Sequence, residues 1–456
     1  MFLQHLPVLQ ELALSIASST IVNTDEDLCH LLAVSKGLRT AILSKGGSLS
    51  RLNVPFVCCD LAHTQAFASW MQKYHMLVKR LDLFGDFEHP TDDRITALML
   101  GLRAPVQLES LDMSHAWPLK LLQQVDAQQL TTLRLSCNAG NLGTSVQTLA
   151  TELGRFSKLQ DLYWDDQSFE LCSEQLSCSC LAQLTALRRL TVLEGPWLPE
   201  GWQHTPSQLQ YLECDELDDV ALSNMHHLRQ LKELKLIHSY VTDTALAAAA
   251  KCWTQLQALM ISCPHPECSE QLVLANWATI PLQHLDLIKL PNLTQEYINN
   301  IAQATQLTTL RLYMRAKEPI TDPLQAAADA PTTLDLSGLT TLEQLQHLDV
   351  RCSFDSPSVT LTSFGDTLDR LTRLRSLSLN VVLHEQALAQ VRVNYQCMCT
   401  VGYLRKCSNM RVSLSAGAGR HQSSATGSVL LAARLLHSVS PGVLSARAGS
   451  TQSAAQ

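Results

Sequence analysis

The chain has 456 residues, of which 46% are hydrophobic, 17% charged and 5% aromatic. That composition excludes an intrinsically disordered chain. The net charge of −8 is unevenly spread: no Asp or Glu follows Glu385, and residues 1–385 hold 27 cations against 42 anions. A body so acidic is a poor surface for a phosphate backbone, so nucleic acid is not expected as a partner. The fifteen cysteines are scattered, several beside apolar runs, in the manner of small buried hydrophobes and not of a disulfide framework. The opening Met-Phe-Leu-Gln-His-Leu-Pro lacks a basic region, Glu11 interrupts its apolar stretch, and no run reaches the length of a membrane helix. The expectation is a reduced, cytoplasmic protein with no membrane contact, the nucleus or the axoneme being the alternative compartments.

Residues 1–50 form a first unit. Leu9, Leu12 and Ile16 recur at helical spacing, and Thr24-Asp-Glu-Asp27 reads as a capping box opening a second helix that Gly46-Gly47 ends. Leu6, Pro7, Ile16, Asp27, Leu28, Val34, Ser35, Lys36 and Arg39 stand in an order that resembles an F-box. The stretch from Ile16 to Asp27 is longer than usual for that family, and Leu38 stands where it usually has Trp. The resemblance implies that Leu6, Pro7, Ile16, Leu28, Val34, Ser35 and Leu38 serve a Skp-family adaptor. The alternative is a helical cap that shields the apolar end of a repeat array. Residues 51–75 read as a linker or capping segment.

Residues 76–385 repeat. Leu-x-x-Leu-x-Leu, with Val, Ile, Met or Cys substituting, begins at residues 78, 108, 130, 159, 187, 209, 231, 256, 282, 307, 345 and 374. Most spacings fall in the 20–29-residue range of leucine-rich repeats, and the long step from Leu307 to Leu345 predicts an insertion around Ala326–Leu342. Alternating residues of a strand face opposite ways, so the fourth and sixth positions point inward and the fifth, between them, outward. One repeat cannot bury its own leucines; a stack buries them as one core. The predicted fold is an α/β leucine-rich-repeat solenoid of about twelve repeats, with a parallel sheet on the concave side and helical or irregular crossovers outside. In those crossovers Leu217-Asp-Asp-Val-Ala-Leu222 and Val241-Thr-Asp-Thr-Ala-Leu246 resemble the Ile-Thr-Asp-x-Gly-Leu element of the repeats common in F-box receptors. Leu293-Thr-Gln-Glu-Tyr-Ile298 and Ile320-Thr-Asp-Pro-Leu324 are looser copies. Asp or Thr there can cap a helix, predicted from about Thr244 to Lys251. Cys252, Cys263 and Cys352 fall one position before the cysteines of that family's repeats.

Residues 386–456 drop the repeat and become rich in Ser, Ala, Gly and Gln, which predicts an irregular, basic, disordered tail. Val429–Leu436 is an apolar patch within it.

The sequence carries no phosphate-binding loop, no nucleophile elbow and no His-Glu-x-x-His. Cys263, His265 and Cys268, and separately Cys172, Cys178 and Cys180, lack the spacing of a four-ligand zinc site. No catalytic residue, cofactor or metal is therefore expected. The outward positions of the central repeats offer Tyr163, Asp165, Tyr211, Glu213, Asp215 and Lys235, aromatics among carboxylates that can grip a basic protein segment. The resemblance implies a substrate receptor of a cullin-type ubiquitin ligase. The alternative is a leucine-rich-repeat scaffold outside that system, of the cytoskeleton or the ciliary axoneme. A solvated acidic surface without a partner is the simplest account of the patch.

Overall fold

In a computed structural model of the chain, fourteen strands lie side by side in one parallel sheet. The residues described are 52–58, 60–75, 78–84, 93–103, 108–113, 119–137, 151–166, 178–193, 199–262, 280–290, 295–314, 333–352, 360–362, 367–368, 370–380 and 411–414. In chain order the strands are β1 (Leu52–Val57), β2 (Val78–Phe84), β3 (Ser110–Met113), β4 (Thr132–Cys137), β5 (Asp161–Asp166), β6 (Arg189–Leu193), β7 (Tyr211–Asp215) and β8 (Glu233–Ile237). They continue as β9 (Ala258–Ser262), β10 (His284–Leu290), β11 (Thr309–Met314), β12 (Thr333–Asp335), β13 (His347–Cys352), β14 (Thr360–Thr362), β15 (Ser376–Asn380) and β16 (Arg411–Leu414). All but β12 and β14 belong to the large sheet, in sequence order; those two pair with each other. Every strand pair is parallel, and the motif positions register without slip from β2 to β16: Leu81 faces Leu111, Leu162 faces Leu190, and Leu348 faces Leu377.

The register has a backbone cause. The carbonyl at the second motif position accepts two N–H groups from the next repeat: Gln160 O from Arg188 and Arg189, Gln210 O from Lys232 and Glu233, and Thr308 O from Gln346 and His347. Each strand thus begins by locking onto its predecessor, and the inward leucines line up in turn. Leu111, Leu133, Leu162, Leu190, Leu212, Leu234, Leu285 and Leu310 are fully buried. Each such side chain contributes roughly 1.5–3 kcal/mol of burial. Trp164 and Cys214 occupy inward sixth positions and are buried as the pattern requires.

The core also extends backward from each motif at intervals of three. Leu153, Phe156 and Leu159, then Leu181, Leu184 and Leu187, then Leu339, Leu342 and Leu345 are all buried. Tight turns join them, with Phe156 N donating to Leu153 O and Leu159 N to Phe156 O. A 3-10 turn places residues three apart on one side, which is why this spacing feeds one core.

The crossovers outside the sheet are α1 (Leu61–Tyr74), α2 (Asp93–Leu102), α3 (Asp219–Ser223), α4 (Asp243–Ala250), α5 (Gln295–Ile301) and several 3-10 turns. Strands stack about 4.8 Å apart while helices need about 10 Å, so a helix-backed sheet curves toward its strands and lines the concave side. Helices α1 and α2 approach closely because position 101 is Gly: a Cβ there would stand 2.9 Å from the Ala68 Cα. The two best crossover elements act as caps. Asp218 accepts from the Ala221 N–H, Thr242 Oγ1 accepts from the Ala245 N–H, and Asp219 ties one repeat to the next by accepting from the Thr242 N–H and hydroxyl at 2.6 and 2.7 Å. Helix α4 starts one residue before the predicted Thr244.

Two boundaries differ from the sequence reading. The segment 51–75, expected as a linker or capping segment, carries β1 and α1 in the manner of a repeat. Its inward residues Val54 and Phe56 are buried and register with Leu81 and Leu83, but Arg51 replaces the leading leucine. At the other end β16, inside the segment expected to be irregular, pairs with β15. The predicted insertion contains β12 and a 3-10 turn, Leu336–Thr341, and is fastened to α5 by Gln295, whose amide bonds both the N–H and the carbonyl of Asp335. The F-box-like residues Leu6, Pro7, Ile16, Leu28, Val34, Ser35 and Leu38 lie outside the described residues. So do Cys172, Cys263, His265, Cys268, the 320–324 element and the tail beyond Leu414.

Candidate functional site

The outward positions of the sheet form three rows. The third-position row runs Asp161, Arg189, Tyr211, Glu233, Ala258, His284, Thr309, His347 across β5 to β13. Beside it the fifth-position row runs Tyr163, Thr191, Glu213, Lys235, Met260, Asp286, Arg311, Asp349. Parallel pairing without slip puts each member next to its row neighbour, so residues far apart in sequence become one surface.

Of the six residues expected there, the fold brings Tyr211, Glu213 and Lys235 into a single cluster. The Tyr211 hydroxyl donates to Glu213. Lys235 Nζ lies 3.8 Å from Glu213, 3.7 Å from Glu233 and 5.1 Å from the centre of the Tyr211 ring. Arg189, which the sequence reading did not single out, stacks over the ring at 4.0 Å and reaches Asp161 at 3.8 Å. The ring thus meets two cations, an arrangement that the ring quadrupole favours. Burial, and then the bond to Glu213, push the Tyr211 phenol above its ordinary range. For Lys235 burial works against the charge, but Tyr211, Glu213 and Glu233 together outweigh it and hold the ammonium above its ordinary range. Asp161 is raised by burial despite Arg189 and Arg134.

Tyr211 itself is buried, 6% exposed, so it braces Arg189, Glu213 and Lys235 from beneath. The other three residues do different work. Tyr163 is half-buried with the Arg134 guanidinium 5.5 Å from its ring centre, and its phenol is raised by burial and then by Asp165 and Glu213. Asp165 stands half-buried beside it on β5. Asp215 is not offered to solvent: its side chain is 7% exposed, it accepts from the Glu216 N–H at 2.9 Å, and it lies 3.2 Å from His238 Nδ1. Glu216 and His238, at φ 52° and 47°, are left-handed non-glycine residues at equivalent places in consecutive repeats. Asp215 fastens both.

A second cluster lies on β10 to β13. The Tyr313 hydroxyl donates to Asp349 at 3.0 Å, and the Arg351 guanidinium meets Asp349 through two nitrogens at 2.8 and 2.9 Å while lying 4.9 Å from the Tyr313 ring centre. Arg311 bonds Asp286 at 3.0 Å. Burial, then the bond to Asp349, raise the Tyr313 phenol; the bond to Asp349 raises Arg351 further. Tyr313 and Arg351 stand at seventh positions, which the fifth-position reading passed over. Taking all three outward rows together would have found them.

Between the clusters the face dips. A depression of about 450 Å³ is lined by Glu233, Lys235, Ala258, Met260, His284, Asp286, Thr309, Arg311 and His347. It lies where β9 presents Ala258, the shortest side chain of the third-position row, beside Met260.

Nothing among the described residues of this face is arranged for covalent chemistry. Burial pushes the Cys214 thiol far up, so it stays protonated and inert. Among the described residues no group of three or more His, Cys, Asp or Glu could hold a metal ion, and no helix is long and apolar enough to cross a membrane. Among the described residues, Cys58, Cys214 and Cys252 are not joined in disulfides, and the Cys58 thiol lies 3.0 Å from the Thr64 hydroxyl.

The fold and the rows define a leucine-rich-repeat solenoid with a charged, aromatic-bearing sheet face. No family model matches the sequence, and no curated protein matches it. Among solved structures the chain is similar to the crystal structure of an internalin (inlF) from Listeria monocytogenes str. 4b F2365, with TM-score 0.39 and 18% identity over 70% of this chain and 79% of that one. The fold assignment rests on the sheet and its register, not on that similarity.

Proposed function

We propose that the chain is a protein-binding scaffold that serves as the substrate-recognition subunit of an SCF-type ubiquitin ligase. The observation that supports binding is the sheet face itself: two rigid tyrosine-centred clusters, side by side with an open depression, on a surface built from many repeats. Pre-ordered aromatic and arginine side chains are what protein interfaces use as anchors, because little side-chain freedom is lost on binding. Tyr163, Asp165, Glu213 and Lys235 would contact the partner, while the buried Tyr211 would brace them and Asp215 would hold the loop beneath. The ligase role rests on the F-box-like order of Leu6, Pro7, Ile16, Leu28, Val34, Ser35 and Leu38 and on crossover elements like those of F-box receptors. The residues would engage a Skp-family adaptor, and the protein would catalyse nothing, raising the concentration of substrate near the ligase instead. A scaffold of the cytoskeleton or axoneme is the competing reading, favoured by Leu38 where the family has Trp.

Purified Skp-family adaptor decides between them. The full chain should bind it, and a Leu6→Ala, Pro7→Ala double variant should bind at least tenfold more weakly with an unchanged circular-dichroism spectrum. Absence of adaptor binding by the intact chain would end the ligase reading and leave the scaffold.

A further inference from the structure

The depression over β9 brings half-exposed apolar side chains beside a lysine that two carboxylates share. Its floor is Ala258 and Met260, both half-exposed. Its β8 wall is Glu233 and Lys235, and its β10 and β11 wall is His284, Asp286 and Arg311. The charges on the two walls are not equivalent. Arg311 answers Asp286 one to one, at 3.0 Å. Lys235 is shared between Glu233 at 3.7 Å and Glu213 at 3.8 Å, so one ammonium serves two carboxylates. Glu213 also takes the Tyr211 hydroxyl. Glu233, the more exposed of the two with 39% of its side chain accessible against 20% for Glu213, is left as the less satisfied carboxylate, and it stands on the rim. Asp286 keeps its second oxygen, Oδ1, buried and without a hydrogen-bond partner, so on the far wall Arg311 leaves no surplus charge.

We infer that this depression is the specificity pocket of the face, and that it receives from a protein partner an aliphatic or aromatic side chain adjacent to a lysine or arginine. The inference rests on the proposed binding role of the face and names the chemistry of what is bound there. The apolar residue settles on Ala258 and Met260, where an unbranched, polarizable methionine adapts to its shape. The neighbouring cation completes the pairing of Glu233, which Lys235 alone does not. Charged walls around an apolar floor reproduce the layout of interface hot spots, with a desolvated centre inside a polar rim. A partner of acidic character would instead bring its charge against Glu233 and Glu213, which share one ammonium, and be repelled.

Random linear peptides displayed on phage provide an unbiased probe. Selection on the full chain should enrich sequences in which Lys or Arg adjoins Leu, Ile, Met or Phe. Synthesised versions of the enriched peptides should lose at least tenfold in affinity, by fluorescence anisotropy, to Glu233→Lys and likewise to Met260→Arg. The distant Ser378→Arg variant should leave affinity unchanged, and melting curves should confirm that all three variants fold. Enrichment of acidic sequences, failure to enrich any sequence, or unchanged affinity in both pocket variants would overturn the inference. Should the peptides instead lose affinity only to Arg189→Ala or Tyr163→Ala, the pocket falls and the binding face stands. Binding insensitive to every substitution on the three outward rows would remove both.

Discussion

The Tyr211 and Tyr313 clusters are built from the same three chemical parts, a phenol, a carboxylate and a cation, yet the fold assembles them differently. Tyr211 is 6% exposed, bonds a carboxylate on its own strand, and meets a guanidinium and an ammonium from the strands on either side. Tyr313 is half-exposed, bonds a carboxylate on the neighbouring strand, and has one guanidinium on its ring. The first cluster carries Asp161, Glu213 and Glu233 against Arg189 and Lys235; the second balances Asp286 and Asp349 against Arg311 and Arg351. One is a buried, acid-biased knot and the other a neutral surface brace. A ladder of equivalent positions therefore does not produce equivalent sites: which row each residue occupies decides both burial and charge.

The strongest way to break this comparison is to remove each ring. Tyr211→Ala should lower stability by about 3 kcal/mol, as loss of a buried aromatic does, and Tyr313→Ala by about 1 kcal/mol. Urea midpoints on the two variants measure this, and equal losses would show that the clusters are interchangeable. A smaller effect is expected from the loop under the first cluster, which has no described counterpart in the second. Asp215→Ala frees the Glu216 N–H and the His238 ring together and should cost about 1–2 kcal/mol. Glu216→Gly, which relieves a left-handed residue, should change the same midpoint by under about 1 kcal/mol. A larger loss for the glycine variant would contradict the assigned role of Asp215.

The alkaline limb separates the clusters more gently. Tyr163, Tyr211, Tyr313 and Lys235 are all raised in the folded chain. A raised group stabilises fully below its ordinary value, 10.0 for the phenols and 10.5 for the ammonium, and that stability is lost as pH climbs through the folded value. Thermal stability should therefore hold through the neutral range and fall above about pH 10. Absorbance titration should show Tyr163, Tyr211 and Tyr313 ionising late. Glu213→Gln should bring one of them, Tyr211, back toward the ordinary range, and Asp349→Asn should do so for Tyr313. Unchanged titration in both variants would mean that the carboxylates do not hold the phenols.

Most of the solenoid was legible because its rule is local and repeated. Twelve strands were located by leucine spacing, and Asp218 and Thr242 cap helices where their elements placed them. The missed strands β1 and β16 fail the rule at one place each: Arg51 and Asn409 stand where the leading leucine belongs, while the two later apolar positions of the motif are kept in both. β1 and β16 are the outermost strands of the described sheet, and terminal repeats of a solenoid depart from the repeat pattern. The site was less legible than the fold. Glu213 and Lys235 come from the fifth-position row, but Arg189 meets Asp161 and Tyr211, and Arg351 meets the Tyr313 ring, only through strand-to-strand register, which no single motif copy contains. Asp215 shows the opposite failure: its position faces outward by the rule of alternation, yet a left-handed turn at Glu216 folds its carboxylate into the loop.

The central claim is that partners meet the strand face and not the crossovers. Photo-crosslinking amino acids placed singly at His284 and His347, on the sheet face, and at Val220 and Lys251, on the crossovers, test it most directly, since all four positions are exposed. One and the same protein should be trapped from both face positions and from neither crossover position, and the trapping should be lost when Glu233→Lys is added. The same protein trapped at Val220 or Lys251, with none at the face, would contradict the claim.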